Sequence, residues 1–152
     1  MKLFSISICL LFLAVGSATC GGDLPVSTQA QQGKVVAGPV TDYASLIDKL
    51  RAAGASVEPA GEVEQPFLSI TGKMIRLYDE DVQVFQYASA AEMEAQAAPI
   101  SRDGSAVGTR KIFWVGPPHF FKQGKLLVLY VGNDDKVLKA LEAVLGRQFA
   151  GQ

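Results

Sequence analysis

The most constraining feature of this 152-residue sequence is an uninterrupted apolar run, Leu126–Val131. Six residues are far too few to span a membrane, and the branched and aromatic side chains in the run favour a strand. A strand with one face in water would alternate apolar with polar residues, and this run does not. We therefore predict a central strand whose two faces are both covered by other parts of the fold.

A helix is predicted directly after this strand. Gly132 turns the chain, and Asn133 or Asp134 can cap the start of a helix. The apolar positions that follow recur at spacings of three and four, as they do on one face of a helix: Val137, Leu138, Leu141, Val144 and Leu145. Gly146 then stands where a helix commonly ends. This helix is expected to cover one face of the central strand.

The rest of residues 41–149 mixes helical and strand patterns, which predicts a single α+β domain of ordinary size. In chain order the predicted elements are a helix at 42–53, a short strand at 56–59, an alternating stretch at 67–71, a hairpin of strands 74–78 and 82–87, a capped helix from 89 to before 99, a strand at 109–115, and a second hairpin of strands 119–122 and 125–131.

These elements predict one mainly antiparallel sheet of about five strands with helices packed on it. The order strand, strand, helix occurs twice, once through residues 81–87 and once through Leu126–Val131. This order suggests a ββα pseudo-repeat, although some similar succession of strands and helices occurs in any α+β protein.

The first nineteen residues have the pattern of a signal peptide. Lys2 supplies a positive charge, residues 3–15 are apolar apart from two serines, and residues 16–19 are small. Thirteen residues of helix rise about 20 Å, which is short of the roughly 30 Å hydrocarbon core of a bilayer. A cleaved signal peptide is therefore predicted rather than a membrane span.

These small residues are followed by Cys20-Gly21-Gly22, and here the chain resembles a bacterial lipoprotein precursor, whose signal peptide ends in small residues just before a Cys. The resemblance covers about twenty residues and implies that the Cys20 thiol is lipidated and holds the protein at a membrane. The chain departs from the family pattern at Ser17 and Thr19, where that family usually has a leucine and a smaller residue. Ordinary secretion after cleavage near Ala18 or Thr19 is the alternative interpretation.

The remaining composition limits what the mature chain can be. Cys9 falls within the predicted signal peptide, so Cys20 has no cysteine with which to form an internal disulfide. Residues 20–40 contain four Gly, two Pro and three Gln with few large apolar residues, and are predicted to be a flexible linker. Without Lys2 the charges are 13 basic and 15 acidic, a net of −2, which makes nucleic acid an unsuitable partner.

From residue 45 onward the chain also resembles small exported bacterial domains that have no assigned activity. The resemblance lies in the runs at 61–67, 81–85 and 129–132. It implies where the folded domain lies and gives no indication of mechanism.

Catalytic and metal-binding motifs are absent from the sequence. His119 is the single histidine, no nucleophile motif accompanies it, and the stretch 104–108 has the wrong spacing for a nucleophile elbow. Phosphate-binding glycine motifs, a zinc ligand set and a calcium-loop pattern are also missing, although the acidic residues 79–81 could attract calcium. We predict no cofactor, no metal and no catalytic residue, with His119 as a structural residue at a strand end.

The aromatic residues near the second hairpin are the best candidates for a ligand or partner surface. They are Trp114, His119, Phe120, Phe121 and Tyr130. Phe120 and Phe121 are adjacent on a strand and point to opposite faces, so one enters the core and the other needs a helix, a ligand or a partner to cover it. A sheet covered on both faces within one domain is the plainer explanation.

The sequence thus predicts an exported protein, lipid-anchored at the outer face of a bacterial membrane or in the periplasm. Its predicted role is a non-catalytic module that binds a partner protein or a small apolar ligand. The alternative is a small hydrolase or isomerase that uses His119 with a nearby carboxylate.

Overall fold

The computed structural model describes residues 38–152, so the predicted signal peptide, Cys20 and nearly all of the predicted linker lie outside the described residues. Within the described part the chain forms three helices and eight strands. In chain order they are α1 (Tyr43–Ala52), β1 (Val57–Val63), β2 (Gly72–Leu77), β3 (Glu80–Gln86), α2 (Ala90–Ala97), β4 (Ala106–Val107), β5 (Arg110–Lys111), β6 (Pro118–Gln123), β7 (Leu126–Val131), α3 (Asp135–Leu145) and β8 (Ala150–Gly151).

The main sheet has six strands in the order β1-β2-β3-β7-β6-β8, and every neighbouring pair is antiparallel. A separate two-stranded sheet pairs β4 with β5. The predicted class, an α+β fold built on a mainly antiparallel sheet, is confirmed. The main sheet has one strand more than the predicted five because β8 joins its edge. That strand is only two residues long, too short to produce a periodic pattern in the sequence.

Strand β7 is the interior strand that the apolar run predicts. It lies between β3 and β6, and residues 126–130 are at most 1% exposed. One face of β7 meets a cluster that includes α1 and α3, with Leu46, Leu50, Val137 and Leu141 among its members. The other face meets a cluster that includes α2 and the loops, with Phe85, Met93, Ala97 and Phe120 among its members. Both faces of the central strand are therefore covered within this domain.

Both predicted hairpins are present, with turns that their residues explain. Between β2 and β3 the turn residues are Tyr78 and Asp79, with φ values of 51° and 72°. Positive φ at both central positions is the geometry of the two-residue turn that matches strand twist. The predicted turn at 79–81 is thus shifted, and β3 already begins at Glu80. Gly124, with φ of 59°, turns the chain between β6 and β7.

Three predicted strands differ from the observed ones. The alternating stretch 67–71 is a loop, whose partly buried Phe67, Leu68 and Ile70 pack on the α2 face of the sheet. Alternation thus reflects packing of a loop and not pairing with a neighbouring strand. The predicted strand at 109–115 is reduced to the two residues of β5. The predicted strand at 56–59 instead continues to Val63, because a bulge between Pro59 and Gly61 accommodates the proline at the sheet edge.

The helices begin at the capping residues that the sequence offers. The Ser45 amide donates to Asp42 Oδ1 at 2.9 Å at the start of α1, and the Lys136 and Val137 amides donate to Asp134 Oδ1 at the start of α3. Helices α2 and α3 each follow a hairpin, but they pack on opposite faces of the sheet. The ββα pseudo-repeat therefore stays a prediction.

Candidate functional site

His119 lies on β6 with its ring in the interior and is 4% exposed. Its Nε2 is 3.0 Å from the carbonyl oxygen of Gly132, and its Nδ1 is 2.6 Å from Oε1 of Gln148. The ring also stacks on Tyr130, with 6.0 Å between centroids. The imidazole thus ties β6 to the turn after β7 and to the C-terminal segment.

These contacts leave neither ring nitrogen of His119 for a substrate. Two oxygen acceptors suit a ring with both nitrogens protonated, and they also suit a neutral ring when the Gln148 amide is turned end for end. In both cases the two ring nitrogens are hydrogen-bonded to Gln148 and Gly132 of the domain itself. A general base needs a free nitrogen within hydrogen-bond distance of the proton it removes. The geometry fits the predicted structural role of His119.

The other four aromatic residues of the predicted surface are divided between the core and its margin. Phe120 and Phe121 are completely buried on opposite faces of the sheet, and Tyr130 is 1% exposed. The Tyr130 hydroxyl accepts from the Asp134 amide at 3.0 Å and lies 3.4 Å from Glu80 Oε2. Trp114 is half-buried. The structure therefore does not bring these residues together as an open groove.

Trp114 fixes the loop between β5 and β6. Its indole Nε1 donates to the carbonyl oxygen of Gly104 at 2.8 Å, and its ring meets Phe67 and Phe120 edge to face, with centroids 5.8 Å and 5.9 Å away. Because an edge-to-face pair stabilises by about 1 kcal/mol beyond its buried area, these contacts hold the loop firmly against the domain.

The residues on either side of Trp114 project into solvent. Phe113 is 94% exposed and Val115 is 103% exposed, about as exposed as in an extended peptide. They are the large apolar side chains that remain exposed in the described part of the chain, and we refer to Phe113, Trp114 and Val115 together as the apolar loop. Sequence reasoning did not select Phe113 and Val115. The available signal was the continuous apolar run Ile112-Phe113-Trp114-Val115, which was interpreted as part of a strand at 109–115 instead.

The two residues of β5, just before Ile112 and the apolar loop, are basic. Arg110 and Lys111 are exposed on β5, immediately before the loop, and Arg110 Nη1 donates to the Pro66 carbonyl oxygen at 3.3 Å. Asp103 is the acidic residue in the same segment. Hydrogen bonds to its carboxylate from the Ser101 and Ser105 hydroxyls and the Ser105 amide lower the pKa of Asp103 to about 2.

The clefts in the surface of the described residues include three with polar linings. One of about 400 Å³ is lined by Glu64, Gln65, Pro66 and residues 68–71; one of about 470 Å³ is lined by Arg102 and residues 148–151; a third of about 200 Å³ lies beside Tyr43 and Lys73. None of the three is lined by His119 or by Phe113 and Val115. In the first cleft the Thr71 Oγ1 donates to Glu64 Oε1 at 3.3 Å. None of the three linings contains a His or Cys side chain.

Within residues 38–152 no cluster of three or more His, Cys, Asp or Glu side chains is placed to hold a metal ion. In the same residues no helix combines the length and apolar character needed to cross a membrane. No protein-family model, curated protein or solved structure matches this chain.

Proposed function

We propose that this protein is a non-catalytic binding module, held at the bacterial cell envelope through a lipidated Cys20, that uses the apolar loop as its contact surface. The observation that carries the proposal is the full exposure of Phe113 and Val115 on a loop that Trp114 holds in place. Membrane attachment itself rests on the sequence around Cys20.

The energetics of the apolar loop favour a role in binding. Covering a fully exposed Phe or Val side chain stabilises a complex by roughly 1.5–3 kcal/mol each. Since the Trp114 contacts already fix the loop, little conformational freedom remains to be lost when a partner covers it. Exposed apolar side chains with no partner in the domain are a common mark of an interaction site.

The alternative function, a hydrolase or isomerase that uses His119, requires an imidazole hydrogen-bonded to Asp or Glu in an open pocket. The partners of His119 are a side-chain amide and a backbone carbonyl, and its ring is buried. These contacts support the binding module over the enzyme.

Site-specific photo-crosslinking in intact cells tests the binding role. A photoreactive phenylalanine analogue replaces Phe113, and a matched variant carries the same analogue at Glu62, which is exposed on edge strand β1. We expect an adduct from position 113 and none from position 62. Equal labelling at both positions, or none at 113, would contradict the proposal.

Metabolic labelling tests the anchor. Cells given a radioactive fatty acid are expected to label the wild-type chain and not the Cys20→Ser variant. A Cys20→Ser chain that still carries the label would exclude this residue as the site of attachment, and an unlabelled wild type would favour ordinary secretion.

A further inference from the structure

We infer that the apolar loop docks on the surface of a lipid bilayer, with the Phe113 and Val115 side chains entering the headgroup region and Arg110 and Lys111 facing anionic lipid. The inference rests on the proposed function, because it names the partner of the same surface. It gives the protein a second membrane contact, made by the folded domain itself.

The shape of the loop fits a fluid surface. With 94% and 103% of their areas exposed, Phe113 and Val115 project from the domain and touch almost nothing beside them. A bilayer deforms around such a projection, whereas a folded partner would need a matching cavity. Trp114 lies between them, and Trp is a residue that favours the interface between membrane and water.

The charge around the loop fits an anionic surface. Residues 99–117 contain Arg102, Arg110 and Lys111 against one acid, Asp103, a local net charge of +2 in a chain whose net charge is −1. Arg110 and Lys111 are exposed and precede the apolar loop directly. Cations beside exposed apolar side chains are the combination that strengthens binding to anionic lipid.

The backbone of the loop limits how deeply it can enter. In the described part of the chain the last backbone hydrogen bond before the loop runs from the Ile112 amide to the Ser105 carbonyl, and residues 113–115 make none. Unpaired peptide groups are strongly unfavourable in hydrocarbon. Only the two side chains therefore pass below the headgroups, and the backbone keeps its water or headgroup partners.

Shallow contact of this kind is weak alone and effective on a tethered chain. Two apolar side chains contribute on the order of a hundredfold to partitioning, which is marginal for a free protein. A chain held at the bilayer through Cys20 converts the contact into an intramolecular one, so the same side chains can keep the loop docked for much of the time.

The test uses Trp114, which is the single Trp of the 152-residue chain, as a local probe. The mature chain, as processed in bacterial cells, is reconstituted with vesicles of phosphatidylcholine, with or without 30% phosphatidylglycerol, in which the acyl chains carry bromine near the headgroup. Sedimentation with the vesicles reports attachment of the chain, and quenching of Trp114 fluorescence reports contact of the loop. We expect quenching that is stronger on the anionic vesicles and weakened by salt.

Variants separate the side chains from the charges. Phe113→Ser with Val115→Ser is expected to abolish quenching while the chain still sediments and unfolds at the wild-type temperature, since both side chains are exposed. Arg110→Gln with Lys111→Gln is expected to lower the docked-to-free ratio on anionic vesicles by about fivefold for each cation. The matched control, Lys136→Gln with Lys139→Gln, removes the same charge from exposed positions of α3 on the opposite face and is expected to change nothing.

Four results would overturn the inference. A sedimenting wild type whose Trp114 is not quenched would exclude lipid as the partner of the loop and leave the binding role intact. Quenching that survives the double serine variant would show that the Phe113 and Val115 side chains do not make the contact with lipid. A concentration-dependent dimer that the serine variant abolishes, without quenching, would assign the loop to a second copy of the chain. A chain that does not sediment would reject the membrane anchor and the docking together.

Discussion

The hydroxyl of Tyr87 offers a quantitative test of how the α2 face of the sheet is packed. Tyr87 is 4% exposed, and its hydroxyl oxygen is buried without a hydrogen-bond partner among the described residues. A buried hydroxyl that lacks a partner lowers stability by about 1–3 kcal/mol. Tyr87→Phe removes the hydroxyl and keeps the ring. We therefore expect the variant to be more stable than the wild type by about 1 kcal/mol at pH 7.

The same burial predicts a dependence on alkaline pH. Burial raises the pKa of Tyr87 to about 12, against about 10 in an unfolded chain. Because the folded pKa is the higher one, the unfolded state loses its proton first, and the stability is complete below pH 10 and lost as the pH rises to 12. Two pKa units correspond to about 3 kcal/mol, roughly half of which is lost by pH 11. Phe cannot ionise, so the advantage of Tyr87→Phe should widen by about 1 kcal/mol between pH 7 and pH 11.

Urea unfolding followed by circular dichroism at both pH values measures these differences. Tyr130→Phe is the matched comparison, because the Tyr130 hydroxyl accepts from the Asp134 amide at 3.0 Å and its loss should destabilise the protein at pH 7 by about 1 kcal/mol. A Tyr87→Phe variant that is less stable at pH 7 would mean that the hydroxyl has a partner. An advantage that does not widen at pH 11 would refute the assigned pKa.

Three further substitutions test the segments around the candidate site. His119→Ala should lower the free energy of unfolding by about 2–4 kcal/mol, because it leaves the Gly132 carbonyl without its hydrogen-bond donor. A loss below about 1 kcal/mol in urea unfolding would contradict the structural role of His119. The pKa of Asp103 is lower in the folded chain than in the unfolded chain, so its carboxylate stabilises the fold above pH 4 and ceases to do so as the pH falls to about 2. In Asp103→Asn the melting temperature should therefore fall less between pH 4 and pH 2 than it does in the wild type. Gly151 has a φ of 116°, and a Cβ added there would clash with the Pro118 carbonyl oxygen. Gly151→Ala should therefore detach β8 and abolish amide protection there in hydrogen exchange, and retained protection would refute the predicted clash.

The parts of the fold that could be predicted are those with a strong local pattern. The run Leu126–Val131 predicted an interior strand because only a doubly covered strand is apolar at every position. The apolar stripe along α3 and the residues that cap its start were equally clear in the sequence. The two-residue strand β8 could not be predicted, since its pairing depends on Gly151 fitting against β6 and carries no periodic signal.

The candidate site was harder to predict because a short apolar run has more than one physical cause. Residues 112–115 are all apolar, as in a buried strand, but no neighbouring strand pairs with 113–115 among the described residues. Trp114 supplies the inward contacts, and Phe113 and Val115 are left in solvent. The aromatic residues on β6 were predicted as part of a ligand or partner surface. In the structure, α2 and the loops cover one face of β6, and α1 and α3 cover the other. A sheet covered on both faces can offer a contact surface only at its edges and loops. The apolar loop is where this fold leaves large apolar side chains in solvent, and for that reason it is the surface on which the function of the protein should be tested.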